Sequence, residues 1–134
     1  MEQARQMNLV DTDVLVDCLR GTIPAQEWLK QRASQSFAVP AVAAMELVMG
    51  CHDRADLERI QRFLSTFEVV WPEASEFAAA YQLLLTHRLG SGLTIPDCLI
   101  AATALTRNAR LYTFNLKHFQ VVPGLDVERP YSRP

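Results

Sequence analysis

The sequence predicts an α/β fold, a three-layer α/β/α single domain built on a central, mainly parallel sheet. Two observations predict it. Short apolar strand-like runs alternate with helical patterns, which implies crossover connections and helices on both faces of one sheet. The 134 residues, 49% of them hydrophobic, suffice to close one core without disulfides or a structural metal. No repeat, linker or low-complexity tract divides the chain. Residues 1–128 are therefore assigned to one domain, and residues 129–134 to a loose C-terminal tail.

Residues 7–10 read as the first strand, closing on Asp11, Thr12 and Asp13. Val14, Leu15, Cys18 and Leu19 then recur at helical spacing until Gly21. Thr22 ahead of Pro24 starts a short helix with Trp28 and Leu29 on its apolar side, fading before Ser34. Residues 37–39 form a buried strand closed by Pro40, and residues 41–49 an apolar helix ended by Gly50. Residues 54–66 read as an amphipathic helix with Leu57, Ile60, Phe63 and Leu64 inward. Residues 67–71 are strand-like, and Pro72 terminates them. A helix over residues 73–88 carries Phe77, Tyr81, Leu84 and Leu85 on one stripe before a loop at Gly90 and Gly92. Another helix follows from Ile95 to Leu105, then a strand at residues 111–113. A Pro-Gly turn after Val122 leads to a last strand at residues 125–127.

The N-terminal stretch has no apolar signal region and no segment is long enough to cross a bilayer, so a soluble, cytoplasmic protein is expected. Cys18, Cys51 and Cys98 are odd in number and dispersed, which reads as buried thiols in a reducing compartment. A net charge of -2 counts mildly against nucleic acid, whose binders are usually basic. That objection weakens if several of the 15 acids gather at one metal site, with the 13 Lys and Arg along its rim.

Ligand sites in open parallel sheets form at the carboxyl ends of strands. Asp11 ends an apolar strand, where an unpaired carboxylate would be costly, so a ligand role is expected there. Asp13 is assigned instead to capping the next helix. Glu46 has only Ala, Val, Leu and Met within one helical turn, unlike a residue of a solvated face. Asp97 stands three residues after Thr94, the spacing of a capping box, and is equally placed to be a ligand. Such carboxylates near one sheet edge would repel one another, and a hard divalent cation removes that cost. Mg²⁺, with Mn²⁺ as a substitute, suits the all-oxygen set better than Zn²⁺. Asn115 either contributes to the site or stabilises its turn. His118 is read as peripheral, and Asp17 as a solvated position near Arg20.

Four segments in order resemble one family. They are the run from Leu9 to Asp17, the run from Ala44 to Gly50 around Glu46, the run from Ile95 to Leu105 around Asp97, and residues 111–125 around Asn115. Together they resemble PIN-domain ribonucleases, and among these the VapC-like toxins of bacterial and archaeal toxin-antitoxin pairs. The chain departs from the family pattern in having Asp13 where Asn is frequent, and Asn115 where many members carry a fourth acid. The resemblance implies Mg²⁺-dependent hydrolysis of RNA, of which transfer RNA is an example, with Asp11, Glu46 and Asp97 around one cation. It also implies a VapB-like antitoxin partner and a homodimer. Two rival readings remain at this level. The Asp11 to Asp13 stretch resembles the nucleophile motif of haloacid-dehalogenase-type phosphatases, with Lys117 the only late lysine. Alternatively, an acidic pocket serves only to bind a basic partner segment.

Overall fold

The computed structural model describes residues 6–133. The chain runs β1 (Asn8–Val10), α1 (Thr12–Arg20), α2 (Ile23–Gln31), β2 (Phe37–Pro40), α3 (Ala41–Met49), α4 (Arg54–Leu64), β3 (Glu68–Val70), α5 (Ala74–Ser91), α6 (Ile95–Thr106), β4 (Arg110–Tyr112), α7 (Leu116–Phe119) and β5 (Asp126–Glu128). The five strands form one sheet in the order β3-β2-β1-β4-β5, and every pairing is parallel. This is the three-layer α/β/α architecture expected from the alternation of elements. Leu9, Val39 and Leu111 have no exposed surface, as strands covered on both faces require. α1 packs on α2 and α3, α3 on α4 and α6, and α5 on α6.

Several local expectations are corrected. The helix expected to stop at residue 88 runs on through Gly90 to Ser91, and Gly92, left-handed at φ 71°, ends it. Its apolar stripe does not face the core: Phe77, Tyr81 and Leu85 are exposed and Leu89 wholly so, while Leu84 is half-buried. The buried side of α5 instead carries Glu76 and Ala80. Both Glu76 oxygens meet Arg107, at 2.9 Å from Nη2 and 2.9 Å from Nε. The Arg107 Nη2 also donates to the Trp71 carbonyl, so this pair pins α5 to the end of α6. The short helix α7 between the last two strands was not expected. Of the three free thiols only Cys98 is fully buried; Cys18 and Cys51 are half-buried.

The tail is not loose. Pro130 is buried, the Tyr131 hydroxyl donates to Asp17 Oδ2 at 2.8 Å, and Arg133 Nε donates to the same oxygen at 3.2 Å. Asp17 is therefore held by residues more than a hundred positions away, and not by Arg20.

Candidate metal centre

The chain moves outward from β1 through β2 to β3, then returns across the sheet to place β4 on the other side of β1. The carboxyl ends of β1 and β4 thus flank a topological switch point. Asp11 follows β1, and its N–H donates to the Tyr112 carbonyl of β4 at 3.0 Å, which holds the two strand ends together.

Asp11 is 9% exposed. Its Oδ1 accepts from the Thr12 N–H at 2.7 Å and its Oδ2 from the Thr113 hydroxyl at 2.8 Å. Asp11 rather than Asp13 is the N-cap of α1. Capping alone does not explain it, because burial, reinforced by the neighbouring Asp13 and more weakly by Asp97, pushes its pKa up to about 7. Asp13 Oδ2 accepts from the Phe114 N–H at 3.0 Å, with the Thr113 hydroxyl 3.4 Å away. Its Oδ1 is buried with no hydrogen-bond partner, and burial raises its pKa also. The Thr113 hydroxyl is therefore shared by two carboxylates.

Asp97 opens α6 in the expected capping box. Its Oδ2 accepts from the Thr94 N–H at 3.2 Å and the Thr94 hydroxyl at 2.9 Å, while its own N–H reaches Thr94 Oγ1. Only one oxygen is used, which leaves Oδ1 without a hydrogen bond among the described residues. His118 Nδ1 lies 3.5 Å from Asp97 Oδ2 and 2.9 Å from the Asn115 amide nitrogen. Asn115 and His118 thus form a pair at the edge of Asp97, and His118 is closer to the site than the sequence suggested. Glu46 is exposed, as are Met45 and Met49 on the same helix. Its apolar sequence neighbours therefore do not bury it: Ala43 and Leu47 turn to the core, and Glu46 shares the solvated side with the two methionines. Its Oε1 accepts from the Thr12 hydroxyl at 2.9 Å, next to Asp11 in sequence. From Thr12 and Glu46 a groove of about 330 Å³ runs past Arg20, Leu47, His52 and Arg59.

Among the described residues, no three His, Cys, Asp or Glu side chains stand together as a ready metal cage. The core of the site is the Asp11–Asp13 pair, with Asp97 felt electrostatically and Glu46 turned to Thr12. This donor set fits Mg²⁺, which binds through one or two carboxylates and keeps most of its waters. An orphaned, buried Asp13 oxygen beside a carboxylate that burial holds half-protonated near neutrality is a site that a hard cation would relieve. Thr12 and Thr113 were missed at the sequence level; a hydroxyl at a strand end carries no signal until its partner is known. Lys117 is exposed and makes no ion pair among the described residues, so the phosphatase reading gains no support.

Residues 9–125 match the PIN domain model. The chain is similar to Ribonuclease VapC10 of Mycobacterium tuberculosis, at 33% identity over 96% of each chain. A solved toxin-antitoxin complex from Klebsiella pneumoniae contains a chain of similar fold at TM-score 0.75 and 28% identity, covering 94% of this chain and 99% of that one. A further similar chain is in VapBC2 from Rickettsia felis bound to a DNA fragment from their promoter, at TM-score 0.78 and 26% identity, covering 92% and 98%. With the Asp11–Asp13 pair at the β1/β4 switch point and a family match over most of its length, this chain belongs to the PIN-domain family and, within it, to the VapC proteins.

Proposed function

We propose that this chain is a Mg²⁺-dependent endoribonuclease, the toxin of a toxin-antitoxin pair, cutting phosphodiester bonds in a structured RNA such as transfer RNA. The observation that carries the reading is the Asp11–Asp13 pair, a buried and a half-buried carboxylate sharing the Thr113 hydroxyl at the sheet's switch point, with one buried oxygen unpartnered. When bound there, a divalent cation supplies counter-charge to the scissile phosphate and Lewis acidity to the attacking water. Asp11 and Asp97 would hold it, and the neighbouring Asp13 would add to the negative charge that favours a cation there. Thr113 and the Phe114 N–H fix the two aspartates, so little reorganisation is needed when charge develops. Glu46, exposed at the mouth of the groove, orients the attacking water or takes its proton. Asn115, against His118 and Asp97, supplies hydrogen bonds at the rim. No side-chain nucleophile is required.

The groove beside Glu46, with Arg20, His52 and the Arg59–Asp56 ion pair along it, supports both an RNA strand and the C-terminal part of an antitoxin as occupants. The outward stripe of Phe77, Tyr81, Leu85 and Leu89, continued by exposed Ile95, supports a homodimer, since a contiguous apolar patch of this kind marks an interface. Brief expression of the wild type and of Asp97→Asn, followed by mapping of new RNA ends, tests the reading. Discrete ends are expected with the wild type and none with the variant. Identical end profiles for both would defeat it.

A further inference from the structure

The C-terminal tail reaches the metal centre from the outside. Arg133 Nη2 donates to the Asp13 carbonyl at 3.1 Å, and Nε donates to Asp17 Oδ2 at 3.2 Å. Cζ of the same guanidinium lies over the Phe114 ring, 3.8 Å from its centroid. Tyr131 donates to Asp17 and packs edge-on against Phe114, with ring centroids 5.1 Å apart. One side chain thus fastens the first turns of α1 to the loop after β4. These are the two segments that meet at the centre: Phe114 gives its N–H to Asp13, and Thr113 gives its hydroxyl to Asp11. Arg133 adds to these bonds a contact with the Phe114 side chain, in a loop between a strand of three residues and a helix of four.

We infer that Arg133, with Tyr131 and Asp17, is a positioning clasp that sets the spacing of the Asp11–Asp13 pair and hence the affinity of the centre for a divalent cation. The inference rests on the proposed metal-dependent reading. Arg is suited to the task because its planar fork bonds α1 at two points while its charge sits over the Phe114 ring, a combination that a lysine's single ammonium does not reproduce. Groups that orient metal ligands from behind typically change affinity by about 10- to 100-fold when removed.

The test is Mn²⁺ titration by calorimetry of the full-length wild type, Arg133→Ala, Arg133→Lys, Asp17→Asn and the Asp17→Asn/Arg133→Ala double variant, alongside RNA cleavage kinetics. Arg133→Ala should bind Mn²⁺ roughly tenfold more weakly. Its kcat at fixed Mn²⁺ should fall while KM for RNA stays within about twofold. Arg133→Lys should recover only part of the affinity, and the double variant should be no worse than the weaker single one, because both changes break one unit. Tyr131→Phe, a milder change, should give a smaller loss in the same direction and covers the case in which a stronger variant does not fold. Unchanged Mn²⁺ affinity in folded Arg133→Ala would overturn the clasp, as would a raised KM at unchanged affinity, which would make Arg133 a phosphate contact. If the wild type binds no Mn²⁺, the metal-dependent reading fails and the clasp fails with it, an outcome distinct from the other two.

Discussion

Asp11 has a pKa of about 7 in the fold against 3.8 as a free side chain, so between those values the folded chain holds more proton than the unfolded one. Stability therefore falls as pH rises through that window, by on the order of 4 kcal/mol once the group is ionised. Glu76 runs the other way. Arg107 and its other donors hold its pKa near 2 against 4.5, so its contribution is complete above about pH 4.5 and is lost as pH falls toward 2. Thermal unfolding without metal should accordingly be most resistant between about pH 4 and 5. Asp11→Asn should flatten the upper limb, leaving the variant more stable than the wild type at pH 8 and not at pH 5. If the wild type gains stability steadily from pH 5 to 8, the assignment of a buried, strained carboxyl to Asp11 is wrong. Mg²⁺ should raise the unfolding temperature of the wild type more at pH 8 than at pH 5, because the proton and the cation compete for the same oxygens. The strand-end position of Asp11 and the capping box at Asp97 were legible in the sequence because both are local signals. Asp13 was misassigned because its partner, the Phe114 N–H, is 101 residues away.

At the level of elements, the sequence pattern identified the five strands and six of the seven helices of the described residues, because apolar runs and capping residues lie within each one. It missed α7, whose four residues are too few to show a period. A stripe has a direction only relative to its neighbours, and α5 is the example. Its longest apolar side faces outward, while its inner side buries a glutamate whose arginine lies 31 residues on. Glu76→Ala would leave the partly exposed Arg107 with only the Trp71 carbonyl and should cost about 2 to 3 kcal/mol, read from denaturant unfolding. The outward stripe gives a separate prediction. Tyr81→Arg should convert a dimer to a monomer in sedimentation while leaving the far-ultraviolet circular dichroism unchanged. A wild type that is monomeric at micromolar concentration would remove this role for the stripe.

For the whole molecule, the fold class was legible because a parallel sheet needs only alternation and buried strands, both written in composition and spacing. Strand order was not, and it decides where the site forms. The jump from β3 to β4 across β1 brings Asp11 and Asp13 against Thr113 and Phe114, segments that no local pattern joins. The same long-range closure brings the tail back onto α1, against the expectation of a free end. A mildly acidic chain can act on RNA if its acids are concentrated where a cation reverses their sign, while Arg20 and Arg59 line the adjoining groove. That makes dependence on a divalent ion the central claim. It is tested most directly by following RNA cleavage by the purified chain after EDTA treatment, during titration with Mg²⁺, alongside Asp11→Asn. Cleavage should vanish in EDTA, return with Mg²⁺ or Mn²⁺, and be absent from the variant at every concentration. Undiminished cleavage in EDTA, or wild-type cleavage by Asp11→Asn, would contradict the account.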